Sequence, residues 1–278
     1  MNYKMIGDSC TDLPLELKKD SHFYLVPLSI QIDDYTIVDD ETFNQKDLIE
    51  RMAASPNCPK SSCPTPEAYM QLFGGEEDIY VVTLSSNLSG SYNSAMLAKK
   101  LYFEEHPEKN IEVFDSKSAS IGQTLIAMKV KELVESGKEF SEVVQLTNQF
   151  RDEMNTKFVL ESLETLRKNG RLSNLKAIIA SALNIKPVMC ATPDGTIDKM
   201  DQARGMNKAL IKMAETIVKD AVDPSNRTLA ISHCNNYERA VFTKEEILKR
   251  VSFKDVFIVD TAGISSLYAN DGGIIVCY

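Results

Sequence analysis

No apolar run in this chain approaches the roughly 18 residues that a membrane-spanning helix needs, and its six cysteines include no C-x-x-C pair. The first absence argues against a membrane span. The second leaves Cys58 and Cys63, the nearest pair, without the two further ligands of a zinc site, and gives no disulfide framework. An excess of positive charge is also lacking. Lysines and arginines number 31 against 40 aspartates and glutamates, a net charge of -9, so a nucleic acid is on average repelled rather than steered in. No glycine-bearing turn fits G-x-G-x-x-G or a P-loop, which leaves nucleotide binding without support. Met1-Asn2-Tyr3-Lys4 runs straight into a strand-like segment. With single, scattered thiols, that gives the expectation of a cytoplasmic protein without metal or cofactor.

What is present is enough chain for two medium domains: 278 residues, 43% of them hydrophobic, sufficient for two cores. The first half alternates strand and helix patterns. An apolar stretch to Ile6 ends in the polar turn Gly7-Asp8-Ser9-Cys10-Thr11-Asp12, and Ile79 to Leu84 is a continuous apolar run of buried-strand length. The pattern repeats at Ile111 to Phe114, followed by a long helix that ends near Gly137. Such alternation predicts a doubly wound, mainly parallel sheet with its crevice at the carboxyl ends of the strands. The segment from Ser55 to Pro66 holds four prolines and reads as an extended loop. Thr65 is placed to cap a helix with Pro66 at its first position. Beyond a boundary expected near residue 155 the order changes to strand, helix, hairpin, helix, strand, which predicts an α/β domain with a mixed sheet. Its predicted elements include a helix at Leu163 to Lys168, an apolar helix at Leu175 to Leu183, a hairpin around Pro193-Asp194-Gly195 and a last strand at Ile274 to Tyr278.

The residues that carry chemistry sit in the turns. Ser61/Ser62 precede a helix and Ser85/Ser86 follow the buried strand, so their hydroxyls and the nearby amides suit a carboxylate or phosphate; they suit helix capping equally well. A nucleophilic serine needs a base and usually a G-x-S-x-G elbow, which the chain lacks. Of its histidines, His22 precedes a strand and His106 sits before Pro107 in a charged loop, both read as solvated, and His233 at a strand end is the one candidate. The single S-x-x-K match, Ser173 to Lys176, reads as a helix start. Asp8, Asp12 and Asp115 end strands, where a metal-ligand role and a capping role both fit, capping the better. Arg171 and Arg204 stand beside glycines in turns, positions that suit an anionic ligand, a partner's acidic patch or an ordinary surface salt bridge.

Taken in order, these turns resemble the DegV family of fatty-acid-binding proteins, which includes the FakB subunits of bacterial fatty acid kinase. The resemblance spans the chain: Asp8-Ser9-Cys10-Thr11-Asp12-Leu13-Pro14, Val26-Pro27-Leu28, Ser61-Ser62-Cys63-Pro64-Thr65-Pro66, Ser85-Ser86-Asn87-Leu88-Ser89-Gly90-Ser91-Tyr92, Asp115-Ser116-Lys117, Gly170-Arg171-Leu172, Asn184-Ile185-Lys186-Pro187 and Arg204-Gly205. It implies two α/β domains, here 1–155 and 156–278, with a long-chain fatty acid in a tunnel between them. The carboxylate is then expected at Ser61, Ser62, Ser85 and Ser86, with Arg171 and Arg204 at the mouth of the site or in docking a separate fatty acid kinase. Many members end in H-T-G-P-G, whose histidine helps hold the carboxylate. This chain has Ala269-Asn270-Asp271-Gly272-Gly273, so Asn270 falls nearest, an amide donor without charge. The implied function is that of a carrier with no catalytic centre of its own. A serine hydrolase or acyltransferase using Ser85 or Ser86 with His233, or a binder of another anionic lipid, is the alternative.

Overall fold

In a computed structural model, which describes residues 2–172 and 184–278, three sheets account for the strands. The first is parallel, in the order β2 (Phe23–Val26), β1 (Tyr3–Asp8), β6 (Asp78–Thr83) and β7 (Ile111–Asp115). Alternate side chains of its strands enter different cores, as a sheet covered on both faces requires. Tyr3, Met5, Tyr80, Val82 and Phe114 pack under α5 (Ile121–Glu135) and α6 (Phe140–Glu153). Ile6, Ile79, Val81 and Val113 face α3 (Pro66–Met70) and α4 (Ser91–Glu105) on the other side. The short α1 (Leu15–Lys18) links β1 to β2. Strand order reverses beside β1, and the crevice that this opens lies at the carboxyl ends of β1 and β6.

The mixed sheet has the order β10 (Ile197–Arg204), β9 (Ile185–Ala191), β8 (Thr156–Val159), β13 (Ile274–Cys277), β11 (Thr228–His233) and β12 (Asp255–Asp260). Only β11 and β12 run parallel; the other neighbours are antiparallel. One face packs on α8 (Met206–Asp220) and α9 (Tyr237–Leu248). The other meets α5, whose Ile121 and Leu125 join Ala230, Val259 and Cys277, so α5 is packed between the two sheets. The predicted parallel and mixed sheets, the hairpin and the last strand are all present. Glu164–Lys168 forms α7, closed by Gly170 at φ 79°. The predicted helix at Leu175 to Leu183 and the Ser173 to Lys176 match lie outside the described residues.

Two features depart from the sequence reading. The four-proline segment is not wholly a loop: Lys60–Ser62 forms β5, which pairs with β3 (Ser29–Ile32), itself paired with β4 (Tyr35–Val38) in a small antiparallel sheet. The prolines flank β5 rather than interrupt it, so its amides remain free to bond. Residues 263–269, for which no element was predicted, form α10 (Gly263–Ala269). Its Ile264 and Leu267 pack with Ile30 of β3 and Leu48 of α2 (Gln45–Ala54).

The start of α10 is held from the first half of the chain. Asp39 accepts the amides of Gly263 (2.7 Å) and Ile264 (2.9 Å), and Asp12 accepts that of Ala262 (2.7 Å). These amides are the unpaired donors of a helix start, where negative charge is favoured. The approach is close: a Cβ on Gly263 lies 2.5 Å from Asp39 Oδ1. Gly263→Ala is therefore expected to cost about 1–3 kcal/mol in urea denaturation. Gly74→Ala, where the added Cβ meets nothing within 4 Å, serves as the near-neutral control; equal effects would contradict the assigned contact.

Candidate functional site

A cavity lies between the carboxyl ends of the parallel strands and the face of the mixed sheet. Leu28, Leu84 and Leu88 wall it from the first half; Phe158, Leu160, Ile197 and Ile275 wall it from the second, and α10 adds Ile264 and Tyr268. The lining is apolar along most of its length, because strand alternation sends Phe158 and Leu160 to this side while Val159 packs beneath α8. Such a wall suits a hydrocarbon ligand with few polar anchors.

At the half-exposed end, Ser61 and Tyr268 share a hydrogen bond of 2.8 Å between their hydroxyls. Arg171 stands over the Tyr268 ring, 5.7 Å from its centroid. Its guanidinium is aimed by two carbonyls, Nε donating to Leu88 (3.0 Å) and Nη1 to Asn169 (2.6 Å). Among the described residues no carboxylate pairs with Arg171. Ser89 completes this rim. A guanidinium fixed by its neighbours but left without a counter-charge, beside two hydroxyls, is the chemistry of a carboxylate or phosphate site.

Of the residues singled out in the sequence, Ser61 and Arg171 line the cavity and the others have different surroundings. Ser62 follows Ser61 in β5 and is exposed, since successive strand residues face opposite ways. The Ser85 hydroxyl is buried and donates to the carbonyl of Gly195 (2.7 Å). Gly195, at φ 77°, sits so close that a Cβ there lies 2.4 Å from Ser85 Oγ and 2.7 Å from Lys117 Cα. Ser86 donates its hydroxyl to Asp115, which also accepts the Ser86 amide. Asn270 caps the end of α10 at φ 57° and donates to the carbonyls of Tyr268 (3.1 Å) and Ser162 (3.4 Å). It lines a separate groove with Met52, Cys58 and Thr165. Arg204 is exposed at the end of β10. The cavity therefore brings Ser61 and Arg171 together with Ser89 and Tyr268, which were not singled out. The spacing of Ile264, Leu267 and Tyr268 was the available signal for the helix that presents Tyr268.

Hydrolase geometry finds no support in these contacts. Ser85 and Ser86 are committed to Gly195 and Asp115, while His233 Nδ1 accepts the amide of Asn236 (3.2 Å) and lies 3.3 Å from Asp260. None of Asp8, Asp12 and Asp115 caps the helix that follows it: Asp8 accepts the Leu84 amide and the Ser91 hydroxyl, Asp115 accepts the amides of Ser86 and Lys117 in turns, and Asp12 alone reaches a helix start, that of α10. Burial pushes Asp12 up to about 7 and Asp39 up to about 6, and it raises Asp8 as well. It also raises the Cys10 thiol well above its usual value, which keeps this cavity-lining group protonated and unreactive.

Comparison with known proteins gives concordant matches over the full chain. The family model described as "Uncharacterised protein, DegV family" matches residues 2–278. A DegV domain-containing protein of Streptococcus gordonii is 35% identical over 280 residues, covering 100% of this chain and 99% of the relative. A DegV family protein from Ruminococcus gnavus ATCC 29149, refined with vaccenic acid, is 52% identical and superposes with a TM-score of 0.97 over 99% of each chain. The fatty acid kinase B3 protein of Streptococcus pneumoniae, loaded with linoleic acid, is 34% identical, with a TM-score of 0.91 over 100% of this chain and 99% of that one.

The raised carboxyls predict a pH dependence of stability. In the unfolded chain Asp12 and Asp39 titrate near 3.8, whereas folded they hold protons to about 7 and about 6. The folded state thus binds more protons between these limits, and stability is lost as pH rises through them. Urea denaturation is expected to show roughly 4 kcal/mol less stability at about pH 8 than at about pH 5. Asp12→Asn is expected to shrink that difference; an undiminished difference would count against Asp12 as its source.

Proposed function

The chain belongs to the DegV family, and on that premise we propose that it binds a long-chain fatty acid, with the alkyl chain in the cavity and the carboxylate at Ser61, Ser89, Arg171 and Tyr268. The observation that carries this reading is an Arg171 with no paired carboxylate among the described residues, at the half-exposed end of a mainly apolar cavity. Each buried methylene contributes about 0.8 kcal/mol, so the chain supplies most of the affinity and the polar end orients it. The fatty acids in the Ruminococcus gnavus and Streptococcus pneumoniae proteins support the same ligand class here.

In this reading the protein is a carrier. Its carboxylate end is the half-exposed one, where a second protein can reach it, and the likeness to the fatty acid kinase B3 protein supports a separate kinase as that partner. Phosphoryl transfer is then the partner's task, in the cytoplasm. Exposed Arg204 is available for docking. Residues 1–155 and 156–278 act as two domains that close over the chain, with α5 and the clamp on α10 setting their spacing. The carboxylate contacts expected at Ser62, Ser85, Ser86 and Asn270 pass in this proposal to Ser89 and Tyr268.

Mass spectrometry of protein purified from bacteria is expected to recover a C16 to C18 acid. After delipidation, Arg171→Ala is expected to weaken fatty-acid binding roughly tenfold or more, and Tyr268→Phe severalfold. Exposed Ser62→Ala is expected to leave binding unchanged. A protein that neither carries nor takes up a long-chain acid, or an Arg171→Ala variant of full affinity, would overturn the assignment.

A further inference from the structure

The cavity has a second set of polar groups, far from its carboxylate end and not accounted for by an alkyl chain. Ser118, Thr156, Ser265 and Cys10 all line it, and all are more than nine-tenths buried. Along β8 the residues that face the cavity run from Leu160 near the mouth, through Phe158, to Thr156. Four residues of strand span roughly 13 Å, about ten carbon–carbon bonds of an extended acyl chain. Between the two polar ends stand Phe158 and its cross-strand partner Ile275.

The inner hydroxyls have hydrogen-bonding capacity to spare. Ser118 Oγ and Thr156 Oγ1 lie 2.7 Å apart and share one proton. The other acceptor near Ser118 Oγ is the carbonyl of Ala119, at 3.4 Å, and Thr156 Oγ1 otherwise accepts only the weak thiol of Cys277, at 3.3 Å. Two hydroxyls bring two donors and four lone pairs, so one donor and several acceptor sites are left poorly used. Ser265 Oγ has the Cys10 thiol at 3.5 Å and also bonds the Asp12 carboxyl, so it has less capacity to spare than the Ser118–Thr156 pair. A methylene chain laid across this patch leaves that remaining capacity unused, whereas a ligand oxygen fills it. The patch is also neutral. Its neighbouring cation, Lys117, is already paired with Asp152 at 2.8 Å, so a second carboxylate gains no counter-charge, whereas an alcohol fits.

On this basis, and resting on the fatty-acid reading above, we infer that the cavity selects a long-chain fatty acid bearing a mid-chain hydroxyl, held by the Ser118–Thr156 pair with Ser265 beside it. The selected position is about ten carbons from the carboxylate. Ser118 and Thr156 also tie the two halves of the chain together, and that purely structural role treats hydroxylated and plain acids alike. The ratio of the two affinities separates the roles.

The test is titration of delipidated protein with octadecanoic acid and with 10-hydroxyoctadecanoic acid, for the wild type, the isosteric Thr156→Val and Ser118→Ala. The wild type is expected to bind the hydroxy acid at least as tightly as the plain one. Each variant is expected to lose about five- to tenfold for the hydroxy acid while holding octadecanoic acid within about twofold. Wild type that rejects the hydroxy acid, or variants that weaken both acids equally, would overturn the inference and leave the fatty-acid reading intact. Failure of octadecanoic acid itself to bind would instead overturn that earlier reading, and this inference with it.

Discussion

Two carboxylates, Asp12 and Asp39, fix a seven-residue helix from the other end of the chain, and the cavity exists in its present form because of them. A helix that short has no stability of its own in water. Its three leading amides are satisfied by acids that burial has made costly to ionise, so each side repairs the other's deficit. Removing α10 strands the charges, and removing an acid strands the amides. Ser9 and Ser120 extend the arrangement by donating to Asp39 and Asp12. Ile264, Ser265 and Tyr268 reach the cavity wall only because the helix that carries them is pinned at this end.

A second constraint acts on the opposite wall. Helix α5 is buried along most of its length because it serves both sheets, with Ile126, Ala127 and Val130 against the parallel one and Ile121 and Leu125 against the mixed one. Where α5 lies, the sheets are joined by side chains. Where it does not reach, turns fill the space between them, and turns built of serine, glycine and short loops leave a void rather than a packed layer. The cavity is the part of the interface that the shared helix does not occupy. Its rim takes Ser61 from β5, Tyr268 from α10, and Ser89 and Arg171 from loops, an arrangement that suits a site with one polar end turned outward.

Much of this architecture was legible in the sequence. Apolar runs such as Ile79 to Leu84 could only be strands covered on both faces, and the turns that follow them marked the end of the sheet at which the cavity opens. What resisted reading was the direction of individual side chains. Ser61 and Ser62 are equivalent as residue types, and only the pairing of β5 with β3 decides that the first turns inward and the second outward. Ser85, Ser86 and Ser89 share one turn, yet contacts with Gly195 and Asp115, remote in sequence, absorb the first two and leave Ser89 at the rim. Such contacts are tertiary, and local pattern carries no record of them.

The end of α10 shows the same principle at work on the polar rim. Asn270 takes a positive φ to end the helix, a conformation that asparagine tolerates, and its amide is spent on local carbonyls. That turns it toward the groove beside α7 and leaves Tyr268, two residues earlier, to meet Ser61. The helix thus contributes a neutral phenol to the rim, and the positive charge there comes, among the described residues, from Arg171, placed by backbone carbonyls from two different loops. In the proposed reading a single aimed guanidinium suffices, since a guanidinium recognises a carboxylate by geometry as well as by charge. The energy of holding the ligand is then, in that same reading, left to the walls.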